Sequence, residues 1–165
     1  MKTIIAIDPG MNGGIALLDI ARALLPSRDK YYDVDGDVIV MKMPDTITDL
    51  HNFFSGIVGN KIVYLEDVHT MPGQGIASSG KFMRGVGNLE STAVCHNCKL
   101  IYVRPQVWQK ALGLLTKKGD SKTQHKNKIK AFAQQRYPNI KVTLATADAL
   151  AILEYAKEKE KGESK

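Results

Sequence analysis

The chain has 165 residues, carries 23 Lys and Arg against 17 Asp and Glu for a formal charge of +6, and is 44% hydrophobic. That length suits one domain that buries about two-thirds of the surface of its unfolded chain. No apolar stretch reaches the roughly 18 residues of a membrane span, and Met1-Lys2-Thr3 leads straight into a strand-like run, so a soluble, cytoplasmic protein without membrane partners is expected.

Ile4-Ile5-Ala6-Ile7-Asp8 is a β-branched run stopped by Pro9-Gly10, which predicts a strand over about 3 to 8 with a carboxylate at its carboxyl end. Gly13-Gly14-Ile15-Ala16-Leu17-Leu18 begins too soon afterwards for a helical crossover, so a strand over about 13 to 18 returns antiparallel. Its glycines are expected to let a phosphate or a metal approach the backbone near Asp8. Residues 19 to 36 are irregular; Asp33-x-Asp35-x-Asp37 has neither the glycine nor the final glutamate of a calcium loop, and an exposed hairpin tip is expected. Strands follow at about 37 to 43, 61 to 66 and 99 to 103, with helices at about 46 to 57, 77 to 96, 105 to 113, 121 to 136 and 146 to 160. This order implies an α/β fold, a mixed five-stranded sheet with helices on both faces.

Glu66 ends its own β-rich run, Lys61 to Leu65, as Asp8 does, and both fall where open α/β sheets collect ligands. Asp148 sits among small and apolar residues near the start of the last helix and shares a face with Ala151, Ile152 and Tyr155. Three converging carboxylates would repel by about 1 to 4 kcal/mol per close pair unless a cation lay between them. Oxygen-only ligands select Mg²⁺ or Mn²⁺, one or two ions per site, and such ions can drive phosphodiester hydrolysis.

The positive charge is a block. Residues 99 to 141 hold 11 basic side chains and one acid, and Lys117, Lys118, Lys122, Lys126, Lys128 and Lys130 lie in or beside one predicted helix, as expected for a DNA-binding face. The single pair Cys95-His96-Asn97-Cys98 lacks a second pair and reads as reduced structural thiols. The charged tail from Glu158 is expected to fray or solvate a helix end.

Ile5-Ala6-Ile7-Asp8-Pro9-Gly10 with Gly13-Gly14, Leu65-Glu66-Asp67-Val68, Pro105-Gln106-Val107-Trp108-Gln109-Lys110 and Ala147-Asp148-Ala149-Leu150 together resemble the RuvC family of Holliday junction resolvases, in its small phage-type branch. The resemblance spans almost the whole chain. It implies a ribonuclease H-like fold, a homodimer, and symmetric Mg²⁺- or Mn²⁺-dependent cleavage of four-way DNA junctions. It also implies that Asp8, Glu66 and Asp148 bind metal and that Lys126 or Lys122 stands near the scissile phosphate. Lys110, Lys117, Lys118, Lys128, Lys81 and Arg84 would join the DNA contacts, and His69 or Met71 would stack on a base where the family has an aromatic wedge. The long helix from Ile76 would pair two copies, with Gly80, Gly85 and Gly87 allowing close approach. The family's fourth acid is missing: Leu144 and Ala145 occupy its places, so that Thr146, Glu154 or water substitutes for it, or a second metal binds weakly, or the active site is altered.

Two other readings compete. Without a full acid set the chain could be a non-catalytic branched-DNA-binding protein. Asp8-Pro9-Gly10-x-x-x-Gly14 also resembles the first phosphate loop of the actin, Hsp70 and sugar kinase type, but a second glycine-rich phosphate motif is missing from the sequence.

Overall fold

The computed structural model describes residues 2–18, 33–70, 73 and 75–162. In chain order they form β1 (Lys2–Asp8), β2 (Gly14–Leu18), β3 (Asp33–Asp35), β4 (Val38–Lys42), α1 (Ile47–Ser55), β5 (Asn60–Glu66), α2 (Ile76–Cys95), β6 (Cys98–Val103), α3 (Pro105–Ala111), α4 (Lys122–Arg136) and α5 (Ala147–Gly162). The strands make one sheet in the order β3-β4-β2-β1-β5-β6. The β1–β2, β2–β4 and β3–β4 pairs are antiparallel, while β5 runs parallel to both β1 and β6.

Strand alternation divides the core in two. Ile4, Ala6, Ala16, Val40, Ile62 and Tyr64 face α3, α4 and α5. Their neighbours Ile5, Ile7, Ile15, Leu17, Val63 and Leu65 face α1 and α2. Because side chains alternate along a strand, Asp8 falls in step with Ile4 and Ala6, and Glu66 with Ile62 and Tyr64. Ile7 stands opposite Leu65, so the two acids are the next positions on adjacent parallel strands, both turned toward α5. Helix α5 is buried along most of its length, and Ala147, Ala149, Ala151 and Ala156 let it lie close on the sheet.

The sheet has six strands where five were expected. The three-residue β3 alternates acid with valine and has no apolar run to announce it. It forms a hairpin with β4 around Gly36, whose φ of +60° suits a glycine. Asp35 is tied across the molecule by Asn139, whose backbone N–H and side-chain amide donate to its carboxylate at 3.1 and 3.0 Å. The charged tail is also better anchored than its composition implies. Glu160 is buried, accepts the Tyr64 hydroxyl at 2.7 Å and pairs with Lys2. Cys95 and Cys98 are free thiols at the α2–β6 turn, and burial pushes the Cys98 thiol up to about 11. Among the described residues no helix is long and apolar enough to cross a membrane.

Gly14 sets how closely α5 approaches. A Cβ there would lie 2.7 Å from the Ala145 carbonyl oxygen and 2.8 Å from that of Met41, both fixed backbone. Gly14→Ala is therefore expected to lower unfolding free energy by about 1 to 3 kcal/mol. A chemical denaturation midpoint equal to that of the parent chain would contradict this packing.

Candidate active site

Three elements deliver the acids. Asp8 ends β1 and Glu66 ends β5, while Asp148 lies in the first turn of α5. That turn is set by the preceding loop: the Thr143 carbonyl accepts from the Thr146 and Ala147 N–H groups at 3.3 and 3.0 Å, and the Thr146 carbonyl accepts from Leu150 at 3.1 Å. The close contact at Gly14 brings this loop against the β1–β2 hairpin.

The glycines beside Asp8 make room for the protein's own backbone. A Cβ at Gly13 would stand 2.1 Å from the Asp8 carbonyl oxygen and 3.2 Å from the Asp8 carboxyl carbon, so this glycine makes room for the strand end itself. Gly14 makes room for Ala145.

Burial pushes Asp8 up to about 8, with the charges of Glu66 and Asp148 adding to the rise and Lys126 opposing it. Glu66 is pushed up to about 7, again chiefly by burial and further by Asp148, against the pull of a hydrogen bond from Trp108. Asp148 is raised by burial and drawn back by Lys126 and His125. Each carboxylate is thus coupled to another across the carboxyl edge of the sheet. The donor chemistry suits a hard divalent cation, being all oxygen and short of positive charge. As the side chains stand, however, no three His, Cys, Asp or Glu residues among those described form a group that could hold a metal ion. The acids share one field without closing into a ready-made cage, and a cation would have to draw them together.

Two neighbours of the acids were not anticipated. Trp108 is 1% exposed and donates its indole N–H to Glu66 Oε1 at 2.9 Å. It is the one Trp of the chain, and the need of a buried indole N–H for an acceptor was the available signal. Pro105 at the first position of α3 starts the helix that carries it. His125 reaches the Leu114 carbonyl at 3.0 Å while adding positive potential at Asp148. Only its place beside Lys126 in the sequence could have pointed to it.

The basic residues divide. Ser121 and Gln124 close a capping box at the start of α4. That start fixes Lys126, whose charge acts on both Asp8 and Asp148. Lys122, one turn earlier, is exposed, as are Lys117, Lys118 and Lys110. Lys128 is half-buried and donates to the Leu115 carbonyl at 3.2 Å, so it pins the α3–α4 connection to α4. Exposed His69 stands 3.7 Å from an Asp67 carboxylate oxygen, which Arg104 also approaches at 3.7 Å. Lys81 and Arg84 are exposed on α2, and Met71 lies outside the described residues.

The stand-ins for a fourth acid are committed elsewhere. The Thr146 hydroxyl accepts from the Thr143 N–H at 3.0 Å. Glu154 accepts from the Tyr137 hydroxyl and from Lys157 at 2.5 Å, contacts that hold it below the ordinary glutamate range despite burial.

No protein-family model matches the sequence, and no curated protein matches it. Among solved structures the chain is similar to RuvC of Thermus thermophilus, at 14% identity and a TM-score of 0.51 over 91% of this chain and 90% of that one. It is likewise similar to T. thermophilus RuvC in complex with a Holliday junction substrate, at 15% identity and a TM-score of 0.53 over 92% and 90% of the two chains. The fold is therefore ribonuclease H-like α/β of the RuvC kind.

The raised carboxyls make the metal-free protein sensitive to alkali. A folded Asp8 that holds its proton to about pH 8, against 3.8 for the free side chain, contributes stability that is complete below pH 4 or so and is lost as pH rises toward 8. With EDTA present, Asp8→Asn should melt above the parent chain at pH 8 and close to it at pH 4. Parallel melting profiles for the two proteins would show that the Asp8 carboxylate is not held in this field.

Proposed function

We propose that this chain is a divalent-metal-dependent endonuclease that binds four-way DNA junctions and resolves them by paired phosphodiester cleavage, as a crossover junction endodeoxyribonuclease. The observation that carries the reading is the gathering of Asp8, Glu66 and Asp148 at the carboxyl edge of the sheet, each with a raised pKa and with Lys126 beside two of them. Support comes from the fold and from its likeness to a RuvC solved on a Holliday junction.

Asp8, Glu66 and Asp148 would hold Mg²⁺ or Mn²⁺, which when bound supplies the Lewis acidity that activates water and stabilises a leaving oxygen. Trp108 orients the Glu66 carboxylate and keeps it ionised more readily than burial alone would allow. Lys126 sets an ammonium beside Asp8 and Asp148, where it can attract a phosphate into a region otherwise negative. Lys110, Lys117, Lys118 and Lys122 extend the positive surface along the path of the DNA. Paired nicks call for two sites, and the outward face of α2 fits a homodimer seam. Ile76, Gly80, Met83 and Gly87 recur on it at three- and four-residue steps, with Val94 seven residues further on the same face, and Ile76, Met83 and Val94 are exposed.

A second reading, a non-catalytic binder of branched DNA, is favoured by one set of facts: Leu144 and Ala145 stand where a fourth acid would, and Thr146 and Glu154 are engaged elsewhere. Labelled four-way junctions titrated with Mg²⁺ or Mn²⁺ separate the two. The nuclease reading predicts symmetric nicks that fall by about 10²-fold or more in Asp8→Asn and Glu66→Gln while junction binding persists. A binder would retard the junction and leave it intact at every metal concentration.

The basic surface has its own signature. Lys117→Ala combined with Lys122→Ala should weaken junction affinity and reduce the slope of log K against log salt by about 1 to 2. Lys128→Ala should instead act on stability, through the lost contact to Leu115. An unchanged salt slope in the double variant would move the DNA path off this helix.

A further inference from the structure

A hollow of about 620 Å³ opens between α1 and α2, on the face of the sheet opposite the acids. Ser78, Lys81, Phe82, Gly85 and Asn88 all line it, so one face of α2 is turned into it. The β4–α1 connection, from Met43 to Thr46, forms the facing wall. The turn after Asp8, through Gly10 and Met11, also lines the hollow. Met11 is three residues from Asp8, so their backbones are at most about 11 Å apart, a distance that a strand of nucleic acid covers in a couple of nucleotides. The hollow and the acids therefore share one edge of the sheet.

Its lining combines an aromatic ring and thioethers with a few polar and charged groups on an otherwise apolar wall. The Phe82 ring lies 3.4 Å from where a Cβ on Gly10 would stand, so the turn and the ring meet in the lining. The thioethers of Met11, 90% exposed, and Met43 add polarizable surface suited to an aromatic partner. Asn88 can donate and accept at a base edge, and Ser78 and Asp45 offer further polar groups. Lys81 at this lining and exposed Arg84 beside it supply positive charge for the attached phosphates. The volume lies within the range of about 300 to 1,000 Å³ typical of small-ligand sites.

We propose that this hollow receives one unpaired nucleobase of the DNA strand that crosses the acids, so that the chain reads a base close to the phosphate it cuts. The proposal rests on the DNA reading above and adds a site to it. Stacking on an aromatic ring with hydrogen bonds to the base edge is how proteins hold extruded bases.

Gly85 gives a clean way to fill the hollow. A Cβ there meets nothing within 4 Å, and leucine is the better helix former, so Gly85→Leu should fold while its side chain takes the place of the base. Four-way junctions carrying 4-thiothymine at successive positions across the crossover are bound by full-length Asp8→Asn protein, irradiated, and the cross-linked peptides sequenced. One or two positions should cross-link to peptides holding Phe82 or Met43, and adding Gly85→Leu should reduce that yield about tenfold at saturating protein, while junction affinity falls by about fivefold or more, as the loss of one stacked base requires. Junctions that bind but never cross-link there, or a yield indifferent to Gly85→Leu, would overturn the base site and leave the nuclease reading standing. Failure of the protein to bind any junction would overturn both. A drop in oligomeric state caused by Gly85→Leu would assign the hollow to a second copy of the chain and also overturn the proposal.

Discussion

Burying like charges together is the constraint around which this structure is arranged. Carboxylates removed from water and set beside one another destabilise a fold unless protons or cations accompany them. Here two sit at the ends of adjacent parallel strands and a third in the first turn of the helix packed over them. Gly13 and Gly14 lack side chains because the backbone around the acids is too close to admit any. Trp108, Lys126 and His125 are the groups that temper the charge. The nuclease reading starts from this concentration of raised carboxyls at one sheet edge.

The rest of the molecule holds that edge in place. Helix α5 runs from the acids to the far end of the sheet, where Glu160 locks onto Tyr64 and Lys2. Helix α4 lies against α5 and presents Lys126 from a position fixed by its capping box. Lys128 and His125 tie the loop before α4 down at Leu115 and Leu114. Residues that look alike in composition thus differ in place: Lys128 braces the scaffold, while Lys110, Lys117, Lys118 and Lys122 are exposed.

Much of this was readable from the chain. Apolar runs that stop on an acid gave β1 and β5, and the short gap between Asp8 and Gly14 gave the antiparallel hairpin. Alternation along each strand then suffices to put Asp8 and Glu66 on one face. What could not be read arises from contacts between distant segments. The three residues of β3 pair only because β4 offers an edge, and Asp35 finds Asn139 through the fold. Glu160 resembles its solvated neighbours until α5 carries it over Tyr64. The glycines after Asp8 were legible as sites of close approach, but the sequence did not say that the approaching group would be the protein's own backbone. Whether the acids form a finished cage was equally beyond it, since cage closure depends on side-chain rotation and not on residue type.

The central claim is that these carboxylates capture a hard divalent cation. Crystals soaked in Mn²⁺ and measured for anomalous scattering test it directly. The account predicts a manganese peak bounded by Asp8, Glu66 and Asp148, with those side chains turned inward to reach it. A map without density among the three acids, or with manganese bound only elsewhere on the chain, would contradict it.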